Sequence, residues 1–190
     1  MNKVYIEDKE FSGKTFAKNE LIKGEYENCI FKNCYLSNSD LSEITFADCA
    51  FENCDLSLAK ISQTAFKNVK FKSCKLLGLR FEDCNLFLLS MFFEKCFLNL
   101  SSFHKLNLKA TKFIECSIKE VDFVQSDLTN SIFENCDLEG SVFENTILEN
   151  SDFRTSYNFI IDPENNKIKK AKFSTSGLRG LLFKYNIQVE

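Results

Sequence analysis

Residues 49–61 read CAFENCDLSLAKI and carry a large apolar residue at every fifth position, with a small residue two places before it. An α-helix would scatter a period of five around its circumference, and a β-strand would alternate it between two faces. The spacing therefore predicts a structural unit of five residues that repeats along the chain. The large central residues here are Phe51, Leu56 and Ile61, and the small ones are Cys49, Cys54 and Ala59.

The same period extends from this stretch over most of the chain. It slips once, by two residues, between Leu86 and Phe93, and then holds through Phe153. The first run of central residues is Phe11, Phe16, Leu21, Tyr26, Phe31, Leu36, Leu41, Phe46, Phe51, Leu56, Ile61, Phe66, Phe71, Leu76, Phe81 and Leu86, and Ile6 precedes it. The second run is Phe93, Leu98, Phe103, Leu108, Phe113, Ile118, Phe123, Leu128, Phe133, Leu138, Phe143, Leu148 and Phe153.

The units share a consensus of a small residue, Asp or Asn, and then Leu or Phe. Segments 54–58, 126–130 and 136–140 read CDLSL, SDLTN and CDLEG. This pattern resembles the pentapeptide-repeat family. The resemblance implies an all-β fold, a right-handed quadrilateral β-helix in which each unit forms one side and four units form one coil. Stacked coils bury together an interior that no single coil can bury.

Two interruptions and a tail depart from the uniform coil. The two-residue slip predicts a bulge near residues 87–92. Residues 158–167 contain the only proline and predict a loop, after which the period returns in phase at Ile168. Residues 174–176, of sequence STS, predict the start of a short capping helix that ends near Tyr185, with a possible strand over 187–189. We therefore divide the chain into a β-helix, 1–157, and a loop, last coil and C-terminal cap or dimerisation module, 158–190.

The nine cysteines and the single histidine do not suggest a metal or catalytic site. Every cysteine stands two residues before a central residue, where the pattern predicts a small buried side chain. The sequence has no C-x-x-C pair, and His104 takes an outward position on a flat wall. We therefore expect no catalytic residues, no metal, no cofactor and no enzymatic activity. The unpaired thiols, together with the lack of an apolar leader or an 18-residue apolar run, predict a cytoplasmic protein.

Charge alternates along the chain in four blocks. Residues 1–59 carry 6 basic and 11 acidic side chains, and residues 60–119 carry 11 and 4. Residues 120–153 carry no basic side chain, and residues 154–190 carry 7 basic and 3 acidic ones. We call residues 120–153 the acidic block; its nine carboxylates, candidates for partner binding, are Glu120, Asp122, Asp127, Glu134, Asp137, Glu139, Glu144, Glu149 and Asp152.

The tail and a central segment resemble one branch of the family. Residues 161–163 (IDP), 171–173 (AKF) and 77–86 (LGLRFEDCNL) are similar to segments of the quinolone-resistance proteins of the Qnr, MfpA and McbG type. The resemblance implies a homodimer through the C-terminus, with a rod that mimics DNA, binds DNA gyrase or topoisomerase IV and protects against quinolones or a gyrase toxin. It implies a protein partner and no direct contact with nucleic acid or membrane. The candidate dimer or cap residues are Leu178, Leu181, Leu182, Phe183 and Tyr185.

Two alternatives remain open at this point. The tail could cap the last coil of a monomer, and the lysine-rich residues 60–119 depart from uniform DNA mimicry. A scaffold with an unrelated protein partner would instead use exposed apolar residues around the bulge, unless these only pack locally. The candidate apolar contacts are Leu77, Phe87, Phe92, Phe97 and Leu100.

Overall fold

The structure, a computed structural model, describes residues 4–16 and 21–188. Residues 1–3, 17–20 and 189–190 lie outside it, including part of the strand predicted over 187–189. The described chain is a right-handed, four-sided β-helix, which confirms the predicted fold class. Its strands are β1 (Val4–Glu7), β2 (Glu10–Ser12), β3 (Gly24–Glu27), β4 (Ile30–Lys32), β5 (Thr45–Ala47), β6 (Ala50–Glu52), β7 (Ala65–Lys67), β8 (Val69–Lys72), β9 (Met91–Glu94), β10 (Lys112–Ile114) and β11 (Ile132–Glu134).

The strands stack in parallel, one coil above the next. One sheet has the order β1-β3-β5-β7, and the other has the order β11-β10-β9-β8-β6-β4-β2. Phe31 lies opposite Phe51, twenty residues on, which fits four units of five residues per coil. Across the slip, Phe71 pairs with Phe93, so one coil contains 22 residues and the register then resumes.

The four sides are numbered here as walls by the central residues that stack within each. Wall 1 has Ile6, Tyr26, Phe46, Phe66, Leu108, Leu128, Leu148 and Ile168. Wall 2 has Phe11, Phe31, Phe51, Phe71, Phe93, Phe113, Phe133, Phe153 and Phe173. Wall 3 has Phe16, Leu36, Leu56, Leu76, Leu98, Ile118 and Leu138. Wall 4 has Leu21, Leu41, Ile61, Phe81, Phe103, Phe123 and Phe143. Walls 1 and 3 are therefore on opposite sides of the rod.

Stacked phenylalanines fill the interior along wall 2. The ring centroids of Phe31 and Phe51 are 4.7 Å apart, and those of Phe113 and Phe133 are 4.8 Å apart, with nearly parallel planes. Rings of wall 4 meet this column edge-on; the Phe103 and Phe113 centroids are 6.0 Å apart at 83°. Both offset stacking and edge contact are favourable geometries for aromatic pairs, so the core is continuous from coil to coil.

The bulge corrects one interior prediction. Leu86 is 54% exposed, although the five-residue period places it inside, and Leu89 packs against the core there instead. The reason is that the two extra residues lift the chain off wall 1 between Asn85 and Ser90. Ser90 N–H donates to the Phe66 carbonyl at 2.9 Å and so returns the chain to register.

The C-terminal end closes the stack with the predicted loop and helix. Phe159 and Ile161 of the loop are buried, and the Phe159 ring lies 5.8 Å from Phe153. The cap begins at Ser174, whose hydroxyl accepts from the Gly177 N–H at 3.2 Å. It consists of a 3-10 turn (Thr175–Gly177), the helix α1 (Leu178–Leu182) and a second 3-10 turn (Phe183–Tyr185), and residues 186–188 are irregular.

Candidate interaction surfaces

Four of the nine carboxylates in the acidic block are paired with lysine or arginine side chains, and a fifth, Asp122, lies beside His104. Lys119 lies 2.9 Å from Asp137 and 2.7 Å from Glu139, and Lys109 lies 3.2 Å from Asp127. The carboxylates of stacked coils thus meet lysines of the preceding basic block, about one coil earlier in sequence.

Asp152 accepts hydrogen bonds from both Nε and Nη2 of Arg154. Arg154 donates to it at 2.7 Å, and Lys172 of the next coil lies 4.0 Å away. The hydrogen bonds from Arg154 lower the pKa of Asp152, which therefore stays ionised. Asp122 has a weaker neighbour, because its Oδ2 lies 3.6 Å from Nδ1 of His104.

The four remaining carboxylates make no ion pair within 4–16 and 21–188, the residues described. Glu134 projects from wall 2, Glu144 from wall 4 and Glu149 from wall 1, while Glu120 stands at the corner between walls 3 and 4. The free negative charge of the acidic block therefore encircles the rod as a belt and is not confined to one side. We call these four residues the acidic belt.

The candidate apolar residues fall on three walls. Leu77 and Phe97 lie on wall 3, and Leu100 lies beside them at the corner between walls 3 and 4; Phe97 is 50% exposed and Leu100 is 60% exposed. Leu58 of the coil below joins them, because it covers Gly78, where an added Cβ would come within 2.7 Å of the leucine Cδ2. Leu58, Leu77, Phe97 and Leu100 are called the wall 3 patch below.

Phe87 and Phe92 do not belong to the wall 3 patch. Phe92 is partly exposed on wall 2, where it pairs with Lys70 and Lys112 of the adjacent strands. Phe87 is 70% exposed at the bulge on wall 1, with Nζ of Lys67 5.9 Å from its ring centroid. The five candidate residues therefore do not form one surface. Phe87 lies on wall 1, opposite wall 3, and Phe92 lies on the adjoining wall 2.

The C-terminal cap packs inward through one residue and leaves the others accessible. Leu181 packs against the core, Leu182 is half-buried, and Leu178, Phe183 and Tyr185 are exposed. The helix can approach closely because of Gly180, where a Cβ would come within 2.1 Å of the Phe159 carbonyl oxygen.

An ion pair and a hydrogen bond connect the cap to the loop beneath it. Lys184 lies 2.7 Å from Asp162, and the Tyr185 hydroxyl donates to Glu164 at 2.7 Å. These contacts fix the orientation of the exposed apolar side chains of the cap.

The thiols form structural columns inside the rod. All nine are free and buried. A typical thiol, that of Cys54, donates to the Phe31 carbonyl oxygen of the coil below at 3.2 Å. Six lie in one continuous column on wall 3: Cys34, Cys54, Cys74, Cys96, Cys116 and Cys136.

Burial governs the chemistry of these thiols. Desolvation raises the pKa of Cys49 to about 12, so its reactive thiolate form is scarce at neutral pH. Hydrogen bonds that the Cys96 thiol donates to Cys116 and Cys74, together with burial, raise the pKa of Cys96. Cys74 and Cys116 have lowered pKa values because thiols above and below donate to them, yet both are as buried as the rest.

Over the described ranges, no cluster of three or more His, Cys, Asp or Glu side chains is arranged to hold a metal ion. In the same part of the chain, no helix has the length and apolar character needed to cross a membrane.

The comparison with protein families matches this architecture. The family described as a pentapeptide repeat region matches residues 24–90 and 87–157. The chain belongs to the pentapeptide-repeat family. The two matched segments meet at the bulge, where the period slips. No curated protein matches the chain.

Solved pentapeptide-repeat proteins resemble this one over nearly its whole length. HetL, a pentapeptide-repeat protein involved in heterocyst differentiation regulation in the cyanobacterium Nostoc sp., is 12% identical. The match covers 90% of this chain and 88% of HetL, with a TM-score of 0.56, and supports the shared fold. A trypsin-treated variant of QnrB1, a plasmid-mediated fluoroquinolone resistance protein, is 20% identical over 98% of this chain and 100% of its own, with a TM-score of 0.48.

Two features of this pentapeptide-repeat protein escaped the sequence argument. The first is the ion pairing of the acidic block, which a diagram of stacked twenty-residue rows would have shown. The second is the length of the six-thiol column, which joins Cys74 to Cys96 once the bulge is counted as 22 residues per coil.

Proposed function

We propose that this pentapeptide-repeat protein is a non-enzymatic binding protein of the cytoplasm whose partner is DNA gyrase or topoisomerase IV. The acidic belt carries the proposal, because it surrounds the rod with free carboxylates as phosphates surround duplex DNA. The similarity of residues 161–163, 171–173 and 77–86 to the quinolone-resistance branch supports the same partner. A homodimer through the exposed cap residues Leu178, Phe183 and Tyr185 would place two belts on either side of its centre.

Supercoiling by purified gyrase, in the presence of a quinolone and rising protein concentration, tests this proposal. We expect protection by the wild type and its loss in Glu134→Gln/Glu144→Gln/Glu149→Gln, because neutral amides no longer occupy a phosphate-binding groove. The matched control Glu7→Gln/Glu43→Gln/Glu52→Gln removes as much charge from the other end of the rod and should still protect.

Two results would remove the topoisomerase as partner. One is the absence of both gyrase binding and protection by the wild type. The other is equal loss of protection in the two triple variants, since that would show a dependence on net charge alone and not on the belt.

A second candidate function rests on the wall 3 patch. Three of its four residues are at least half exposed, and large apolar side chains grouped on a flat wall are typical of protein contact sites. In this case the protein is a scaffold for a partner unrelated to topoisomerases. A protein retained by the wild type and by the control Tyr35→Asp, but lost from Phe97→Asp/Leu100→Asp, would support this function. Retention by all three would exclude the patch.

A further inference from the structure

Three consecutive large apolar side chains stand exposed at the bulge. Leu86, Phe87 and Leu88 are 54%, 70% and 64% exposed, and we call them the apolar tip. Elsewhere in the described chain, no three consecutive large apolar side chains are exposed. Because the two extra residues lift the chain off wall 1, the tip projects from an otherwise flat wall. An exposed apolar group of this kind is typical of a contact site.

Lysines of the neighbouring coils lie on both sides of the apolar tip. In the coil below, Nζ of Lys67 lies 5.9 Å from the ring centroid of Phe87. In the coil above, lysines and the leucines of the bulge share an open cavity of about 350 Å³. Its lining residues are Leu86, Leu88, Leu89, Lys105, Asn107 and Lys109.

The same arrangement continues around the corner on wall 2. Phe92 is partly exposed and pairs with Lys70 in the strand below and with Lys112 in the strand above. An apolar coil therefore lies between two basic coils on both walls. Of the five lysines, only Lys109 has an acidic partner within 4–16 and 21–188, which is Asp127 at 3.2 Å. The other four are Lys67, Lys70, Lys105 and Lys112.

The carboxylates nearest to this surface are already paired or lie farther along the rod. Asp83 and Glu94, which flank the bulge in sequence, each pair with a basic side chain, at 3.5 Å in both cases. Asp48 on wall 1 is two coils away and accepts a hydrogen bond from the Asn68 amide at 2.6 Å. Two coils span about 10 Å at the spacing of paired strands. Charges that far apart are largely screened at physiological ionic strength, where the Debye length is about 8 Å, so the surface is locally cationic.

The chemistry of this surface favours a lipid bilayer with anionic headgroups over a protein or a nucleic acid. All five cations are lysines, whereas protein interfaces are enriched in arginine and depleted in lysine. Leucine side chains offer no ring on which a base stacks, and Lys67 already lies beside the ring of Phe87. An apolar segment between lysines suits a bilayer surface, because the apolar side chains enter the headgroup region while the amines meet the phosphates.

Local hydrogen bonds hold the apolar tip in its exposed position. The Asn85 side-chain oxygen accepts from the Phe87 N–H at 2.9 Å, and the Leu89 N–H donates to the Leu86 carbonyl at 3.4 Å. Leu88 between them has a left-handed backbone with φ of 59°. A preformed contact segment costs less conformational entropy on binding than a flexible one.

We propose that the apolar tip inserts into the headgroup region of an anionic lipid surface and that the five surrounding lysines contact its phosphates. In the cytoplasm this surface is the inner leaflet of the membrane, which attracts basic groups. The family resemblance implies no membrane contact, so the property belongs to the bulge of this chain. The lipid-binding surface lies opposite the wall 3 patch and has the opposite sign to the acidic belt. It does not depend on a topoisomerase partner.

Tryptophan fluorescence with vesicles tests the proposal, because the chain has no tryptophan of its own. Phe87→Trp places a single reporter on the apolar tip, and Phe97→Trp places the matched reporter on the opposite wall 3, where the side chain is 50% exposed. Each variant is mixed with vesicles of phosphatidylglycerol and phosphatidylcholine in equal parts, with vesicles of phosphatidylcholine alone, and with a single-stranded oligothymidylate.

We expect the emission of Phe87→Trp to move to shorter wavelength with the phosphatidylglycerol vesicles and to be quenched by lipids brominated on the acyl chain. Both changes require the indole to leave water and enter the bilayer surface. Phe97→Trp should show neither change, and phosphatidylcholine alone should give little binding, because it offers no net negative charge to the lysines.

The contribution of the lysines is measured by co-sedimentation with the same vesicles. Lys67→Gln/Lys105→Gln should weaken binding by at least about tenfold, because each lysine near an anionic surface contributes on the order of fivefold. The matched control Lys60→Gln/Lys75→Gln removes the same charge from walls 4 and 3 and should bind as the parent does.

The apolar contribution is measured in Phe87→Ser/Leu88→Asn. Asparagine adopts a left-handed backbone more readily than leucine, so this variant keeps the shape of the bulge while it removes apolar surface. It should bind the phosphatidylglycerol vesicles at least about tenfold more weakly than the parent, since less apolar area enters the bilayer.

Four outcomes would overturn the proposal. The first is no sedimentation with phosphatidylglycerol vesicles, which would leave an acidic protein surface as the occupant. The second is an equal response of the two tryptophan reporters, because another face would then meet the lipid. The third is an equal loss of binding in the two lysine variants, which would show a dependence on net charge alone. The fourth is binding to the oligothymidylate without binding to vesicles, which would make a nucleic acid the occupant.

Discussion

Replacing Phe113 with alanine is expected to lower the free energy of unfolding by about 3–5 kcal/mol, the usual cost of a large cavity in an aromatic core. The Phe113 ring is fully buried between Phe93, at 5.2 Å, and Phe133, at 4.8 Å. It also meets Phe103 and Phe123 edge-on, at 6.0 and 6.1 Å. The stacked coils above and below are held by backbone hydrogen bonds and cannot collapse into the vacant space.

Chemical denaturation followed by circular dichroism measures this change. The matched control is Phe97→Ala, in the same region of the rod but half exposed on wall 3, where we expect a change within about 0.5 kcal/mol. Similar losses for the two variants would contradict the assignment of central residues to the interior.

A carboxylate in the six-thiol column should be as damaging as the loss of a core ring. We expect Cys96→Asp to lower the free energy of unfolding by about 4 kcal/mol or more, because it buries a charge without a partner. The Cys96 thiol is 1% exposed and lies 3.4 Å from the Phe71 carbonyl oxygen and 3.3 Å from that of Glu94. Both of these carbonyl oxygens are acceptors, so neither can donate a hydrogen bond to a carboxylate at this position.

Serine at the same position provides the matched control. Equivalent positions two residues before the centre already hold hydroxyls; Ser156 donates to the Phe133 carbonyl at 2.8 Å. Cys96→Ser should therefore lower the free energy of unfolding by only about 1 kcal/mol, because the serine hydroxyl can donate to the Phe71 carbonyl as the thiol does. If thermal and chemical denaturation show that Cys96→Asp is as stable as Cys96→Ser, the column is open to water and the assignment is wrong.

The five-residue period was sufficient to predict the fold because it lies in the covalent sequence and every coil repeats it. The resumption of the register at Phe93 was likewise visible as a slip of two residues. The exposure of Leu86 could not be predicted, because the period alone does not say at which residues the two-residue insertion leaves the wall. That choice depends on which of Leu86 and Leu89 fills the interior beneath Leu108, a matter of three-dimensional packing.

The candidate surfaces were less predictable than the fold because they depend on neighbours about twenty residues apart. Lys109 meets Asp127, eighteen residues on, because the two residues flank stacked central residues. Lys109 follows Leu108, and Asp127 precedes Leu128, which stacks on Leu108 in the next coil. Counting charges along the chain cannot detect such pairs and therefore overstates the free charge of the acidic block. Phe87 and Phe97 are close in sequence, yet they lie on opposite walls because two five-residue units separate them.

The most direct test of the β-helix and its register is the number of thiols that react in the native protein. With a thiol-specific chromogenic reagent, we expect none of the nine buried cysteines to react rapidly under native conditions and all nine to react after denaturation. Phe87→Cys should add one thiol that reacts at once, because that position at the bulge is 70% exposed. Rapid native labelling of most of the nine would contradict the interior columns, and with them the four-sided coil.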